Sequence, residues 1–175
     1  MDRFRLPTAL PVLRSQRLAL RTMDEQDAAA LLEIYGDPLV MRYTDEDPFP
    51  NLATIGDMLR SVRSLLATGE SLEWAIVLRD GDALIGTCGL HSFDRMSDAA
   101  EVGCLLRRSA WGKGYMSEAV GLLMDFARNE LHLKRLKAEV AFENARAQSL
   151  FKRLGYRRTR SGMLGIDLSG SARAA

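Results

Sequence analysis

The segment Leu105-Leu-Arg-Arg-Ser-Ala-Trp-Gly-Lys-Gly-Tyr-Met-Ser-Glu-Ala119 decides the fold of this chain. It reads as a strand end, a glycine-bearing turn through Trp111-Gly-Lys-Gly114, and then an amphipathic helix. A helix opened this way presents backbone N–H groups without intrahelical partners. They converge on one spot, where the helix dipole also favours negative charge. Gly112 and Gly114 remove the side chains that would hold a phosphate away from those amides. The expectation is an anion site suited to a diphosphate. A turn that only reverses the chain would share this outline, so other features have to decide.

Two common phosphate loops do not fit. G-x-x-x-x-G-K-[ST] is absent, and Ser117 stands where G-x-G-x-x-G needs its third glycine. At 175 residues, 47% hydrophobic and 27% charged, the chain matches one soluble globular domain spanning 1–168, with 169–175 as a small, polar, disordered tail. A net charge of +1 argues against a general nucleic-acid binder, which needs a concentrated basic face. A polyanionic ligand needs only a local positive pocket. Cys88 and Cys104 both fall in apolar, strand-like runs, which suggests free thiols in a reducing compartment. Met1-Asp-Arg-Phe-Arg-Leu-Pro lacks the apolar stretch of a signal peptide, and no run reaches membrane-spanning length, so a cytoplasmic protein is expected.

Working outward from the turn, residues 17–21 alternate as a half-buried strand. Thr22-Met-Asp-Glu25 reads as a capping box for a helix to about Tyr35, which Gly36-Asp-Pro38 stops. A second helix is expected to open at Thr54-Ile-Gly-Asp57. Strands follow at 72–78, 84–90 and 100–106, a helix at 113–130, a strand at 136–142, a helix at 144–154, and short strands at 156–159 and 163–168. This order is that of one α/β domain with a mixed sheet.

Three segments in register carry a resemblance. Glu101-Val-Gly-Cys-Leu-Leu with Trp111-Gly-Lys-Gly-Tyr-Met-Ser-Glu-Ala resembles the coenzyme A pyrophosphate motif of the GNAT superfamily of N-acetyltransferases. Val140-Ala-Phe-Glu-Asn144-Ala-Arg-Ala-Gln-Ser-Leu-Phe-Lys-Arg-Leu-Gly-Tyr156 resembles that superfamily's later strand–Asn–helix–Leu-Gly-Phe segment. Leu13-Arg-Ser-Gln-Arg-Leu-Ala-Leu-Arg-Thr resembles the opening strand of the branch containing ribosomal-protein N-terminal acetyltransferases. The resemblance implies a GNAT-like α/β fold, with a mixed, mostly antiparallel sheet of about six to seven strands flanked by four helices. It also implies acetyl-CoA as cosubstrate.

By the same resemblance, Leu105, Leu106 and Arg107 pair with the pantetheine arm. Gly112, Lys113, Gly114, Met116 and Ser117 cradle the pyrophosphate, and Asn144 contacts the pantetheine. Asn144 is also placed as a helix N-cap, and the two roles are compatible. Glu101 is the implied general base, acting through water; as a plain strand charge it would instead orient a substrate amine or pair with Arg95. Two positions depart from the pattern. Ser109 stands where Gln or Arg often begins the loop, and Phe151 stands where many members place a tyrosine that protonates the leaving thiolate. Ser149 is no substitute, since two helical steps turn it about 200° from Phe151. Tyr115 and Tyr156 read as packing residues, as do Trp74 and Trp111.

His91 and His132 lack partners at metal-site spacing, and no metal is expected. His91 reads as a structural histidine that could line the acceptor cleft. The acidic set Asp45, Glu46 and Asp47, with Glu70 and Glu73, could attract an amine substrate, but a solvated loop face is the preferred reading. The expected partner is an amine-bearing acceptor, by branch resemblance a protein or peptide N-terminus, with no nucleic acid or membrane, in a monomer or homodimer. The alternatives are a small-molecule amine acceptor and a coenzyme-binding module without turnover, the latter motivated by Ser109 and Phe151.

Overall fold

The computed structural model describes residues 6–170, so residues 1–5 of the N-terminal segment and 171–175 of the tail lie outside it. In chain order the elements are β1 (Leu13–Arg14), β2 (Leu18–Arg21), α1 (Ala28–Tyr35), α2 (Pro38–Met41), α3 (Leu52–Thr68), β3 (Ser71–Leu78), β4 (Leu84–Asp94) and β5 (Ala99–Leu106). Then come α4 (Tyr115–Asn129), β6 (Arg135–Ala138), α5 (Ala145–Arg153), β7 (Arg157–Arg158) and β8 (Leu164–Asp167). The described strands form one eight-stranded sheet ordered β1-β2-β3-β4-β5-β6-β8-β7. Only β5 and β6 run parallel; every other neighbouring pair is antiparallel.

Strand alternation divides the core in two. Leu72, Trp74 and Ile76 of β3 face one side, with Ala119, Val120, Leu123 and Phe126 of α4. Ala75 and Val77 face the other, with Leu31 and Ile34 of α1 and Ile55 and Leu59 of α3. Trp74 is fully buried, donates Nε1–H to the Pro11 carbonyl at 2.9 Å, and meets Phe126 edge-on. No helix among the described residues is long and apolar enough to cross a membrane.

Several expected boundaries move. The first capping box is built on Asp24 and Asp27 rather than Thr22 and Glu25. Asp27 is held there by a bidentate pair with Arg21 at 2.8 and 2.9 Å. Gly36 ends α1 as expected, but Asp37 and Pro38 at once open the one-turn α2, with Asp37 accepting from the Leu39 amide at 2.9 Å. α3 begins two residues before Thr54, at Leu52, because Asn51 caps it. β4 runs on to Asp94, and β6 stops at Ala138 rather than reaching Phe142. The sheet thus has eight strands where six to seven were expected, and five helices where four were, α2 being a single turn.

Candidate active site

The site is set by how β5 loses a neighbour. On one side β5 pairs with β4 from Ala99 to Leu106. On the other side β6 accompanies it only at Ala99, Ala100 and Glu101. Beyond Ala138 the chain turns away, and the Gln148 side chain donates to the carbonyls of Val140 and Ala141 at 3.2 Å each. Those two acceptors are thereby satisfied off the sheet. The edge of β5 from Val102 to Leu106 is left without a strand partner on that side, and the sheet splits open there.

One wall of the split is a cavity of about 620 Å³ lined by Leu105, Leu106, Gly112, Gly114, Met116, Ser117 and Asn144, seven of the ten residues singled out from the sequence. Gly114 is the N-cap of α4 at φ 79°, with no side-chain cap, and Gly112 lies at φ 75°. The first intrahelical amide is that of Glu118, which donates to the Gly114 carbonyl at 3.2 Å. The amides of Tyr115, Met116 and Ser117 therefore have no place in the α4 ladder, and all three residues line the cavity. Left-handed backbone at Gly112 and Gly114 is what lets the turn close this tightly.

The acidic residue in this first turn, Glu118, is neutralised from the sheet side. Its carboxylate accepts from Ser15 Oγ at 2.6 Å, from the Arg17 amide at 2.9 Å and from Arg17 Nε at 2.7 Å. Burial alone would raise its pKa, but these bonds hold it below the usual carboxylate value. Positive charge comes from α5. Arg146 and Arg153 line the cavity, and the Arg146 guanidinium lies 3.5 Å from the Trp111 ring centroid. Trp111 is fixed in turn by its Nε1–H on the Leu106 carbonyl at 2.7 Å. Unsatisfied amides, a side-chain-free turn and two guanidinium groups fit a polyanionic coenzyme.

Three of the ten residues lie elsewhere. Arg107 pairs with Glu33 of α1 at 3.1 Å, and its Nε is buried without a partner. Lys113 lines neither wall; only its carbonyl is engaged, accepting from Arg17 Nη1 at 2.9 Å. Glu101 is half-buried on β5, in register with His91 on one side and Lys137 on the other, and lines neither cavity.

The second wall is a cavity of about 320 Å³, sharing Val40, Tyr43, Cys104, Leu105, Asn144 and Ala147 with the first. The two are one continuous cleft meeting at the free edge of β5. Its far end holds Tyr35, whose hydroxyl lies 2.9 Å from Thr87 Oγ1, together with His91 and Glu73. His91 is thus a cleft residue. Glu73 is no solvated charge either: it is half-buried, accepts a hydrogen bond from Ser71 Oγ at 2.7 Å, and has its pKa pushed up to about 7 by burial. Among the described residues no cation pairs with it.

Phe151 lines this second cavity, whereas Ser149 lines the first, in keeping with their helical offset. Tyr156 packs edge-on against Phe151 at 4.9 Å; its buried hydroxyl has no partner and lines neither cavity. Asn144 lines both cavities while its Oδ1 accepts from the Ala147 amide at 3.1 Å, so it caps α5 and borders the cleft at once. Asn144→Ala is expected to lower unfolding stability by about 1 kcal/mol, as loss of an N-cap does. Thermal denaturation checks this, and coenzyme titration of the same variant should show weakened binding.

The acetyltransferase (GNAT) domain family matches residues 17–157. The uncharacterized N-acetyltransferase p20 of Bacillus licheniformis is 34% identical over 149 residues, covering 85% of this chain and 84% of that protein. A solved structure of a spermidine N-acetyltransferase from Vibrio cholerae, in complex with CoA and spermine, superposes with a TM-score of 0.77 at 18% identity, over 89% of this chain and 98% of that one. A provisionally assigned ribosomal-protein-serine acetyltransferase from Vibrio cholerae superposes with a TM-score of 0.76 at 19% identity, over 90% and 97%. Fold, cleft and sequence agree: this chain belongs to the GNAT family and is an acetyl-CoA-dependent N-acetyltransferase.

Proposed function

We propose that the acceptor is a primary amine, specifically the α-amine of a protein or peptide N-terminus. The observation that carries this reading is the continuity of the two cavities at the unpaired edge of β5. A thioester laid along that edge from the α4 turn would present its acyl carbon to whatever enters the acceptor end. Holding both reactants in one cleft converts a bimolecular encounter into an effectively unimolecular step. The acceptor end suits an amine, since its lining includes the carboxylates Glu73 and Glu139 and lacks Lys and Arg.

Amine transfer needs the nucleophile neutral. An α-amine titrates near ~8 and a lysine amine near ~10.4, so the terminal amine gives up its proton more readily. Glu101, the base implied by family resemblance, stands half-buried on β5 in register with His91 and lines neither cavity, so any proton it takes from the cleft travels through water. With Phe151 in place of a tyrosine, the coenzyme thiolate takes its proton from water. A thiol pKa near ~8.5 makes that anion an adequate leaving group.

A small-molecule amine is the second reading, favoured by the modest size of the acceptor cavity, about 320 Å³. Thiol release from acetyl-CoA, assayed against a panel of free-N-terminus peptides, polyamines and other small amines, separates the two. Release with peptides alone supports the first reading, and release with small amines alone supports the second. Saturable coenzyme binding with no release across the panel would overturn both in favour of a binding module.

A further inference from the structure

One cross-strand row of the sheet carries two glycines beside a carboxylate. Cross-strand register places Glu73 of β3 opposite Gly89 of β4, and Gly89 opposite Gly103 of β5. The Glu73 side chain does not stand upright on its own strand. It lies over Gly89, so closely that any β-carbon there would collide with both carboxylate oxygens. A β-carbon at Gly103 would in turn meet His91 Nε2 at 3.4 Å. Two glycines in one row therefore clear a floor across which Glu73 and His91 lean toward the free edge of β5. Nothing in packing demands this, since the row borders a cavity rather than the filled core.

We propose that Glu73 receives the acceptor's ammonium group in this cavity and takes its first proton. This rests on the amine-transfer reading given above. Charge and geometry both favour it. Ser71 Oγ engages the Glu73 carboxylate as its one described partner, leaving lone pairs for an incoming N–H donor. A carboxylate removed from bulk water and unpaired with Lys or Arg is a strong attractor for a cation. In the step itself, R–NH3⁺ and the Glu73 carboxylate become R–NH2 and the carboxylic acid. The amine lone pair then forms the C–N bond to the thioester carbonyl, and the C–S bond breaks with its electron pair going to sulfur. The second nitrogen proton leaves through water as the thiolate takes one up, and Glu73 returns its proton to solvent when product departs.

The test compares wild type, Glu73→Gln and Gly89→Ala in thiol release from acetyl-CoA. The acceptors are a free-N-terminus tetrapeptide, n-hexylamine and 2,2,2-trifluoroethylamine, the last already neutral at neutral pH. Glu73→Gln is expected to lower kcat/KM for the acceptor that wild type uses by about 100-fold. Its acetyl-CoA affinity should stay within twofold, which also reports that the variant is folded. With trifluoroethylamine the difference should shrink to a few-fold, because no proton needs removing before attack. Gly89→Ala, which keeps the carboxylate but displaces it, should shift rates in the same direction by about tenfold. Wild-type rates in Glu73→Gln, or an equal loss with charged and neutral amines, would overturn the assignment while leaving amine transfer intact. Absence of thiol release by wild type with every amine would instead overturn the functional reading beneath it.

Discussion

A Ser117→Asp substitution is expected to weaken acetyl-CoA binding about 100-fold while leaving the protein as stable as before, or slightly more so. Ser117 occupies the first turn of α4, which has no side-chain cap, and lines the cavity proposed to take the coenzyme. An aspartate at that position suits the helix itself, because a negative charge near an N-terminus is favourable by about 0.3–1 kcal/mol. The same charge opposes a diphosphate. Two unit charges about 5 Å apart at an effective dielectric near ~20 repel by about 3 kcal/mol, roughly two decades in Kd. Stability and binding should therefore move in opposite directions, which a turn serving only to reverse the chain would not produce. Titration of purified protein with acetyl-CoA, beside thermal denaturation, measures both. Undiminished affinity would remove the α4 turn from the coenzyme site.

The glycine turn before α4 was legible in the sequence because it is written in backbone requirements. Left-handed glycines followed by a helix fix where the amides point, whatever the neighbouring side chains do. The charges around it were harder to read. Lys113 drew attention by standing inside the motif, but it contributes only its carbonyl, while Arg146 and Arg153 supply the charge from an element far along the chain. Their spacing after Asn144, on the face that Ser149 shares, was the available signal.

Glu73 was grouped with the surface acids for a different reason. In Ser-Leu-Glu-Trp-Ala-Ile the alternation puts it opposite the apolar face of Leu72 and Trp74, and a charge there reads as solvated. Only the packing of α1 and α3 on that side turns the face into a cleft wall. The strand expected at 136–142 shows the same limit. Val140 and Phe142 favour extended backbone, but Gln148 claims two carbonyls of this stretch, and the ladder ends at Ala138. β1 and α2, at two and four residues, are too short for periodicity to register.

The buried carboxylate has a consequence for stability that can be measured without any substrate. Burial raises the Glu73 pKa to about 7 in the native protein, from an ordinary 4.5 in the unfolded chain. Below pH 4.5 the group is protonated in both states and native stability is at its full value. As pH rises from 4.5 to about 7 the unfolded chain releases this proton while the native protein retains it, so unfolding becomes easier. Above about 7 both states are ionised and the loss is constant. The shift corresponds to about 3 kcal/mol, or roughly 6–12 °C in Tm for a chain of this length. Glu73→Gln is therefore expected to match wild type in Tm at pH 4.5 and to exceed it by that margin at pH 8. Of the groups around Glu73, Tyr35, Cys88 and Cys104 are all pushed up by burial and stay neutral through this window. His91 and Glu139 line the same cavity and are present in both proteins, so the comparison removes them. A Tm difference that does not change with pH would show that Glu73 is not held in the buried environment described. The expected pattern would mark a site kept ready at the expense of stability, since a bound ammonium supplies the counter-charge that the folded chain withholds. An amine acceptor should accordingly raise Tm at pH 8 in wild type and have little effect on Glu73→Gln.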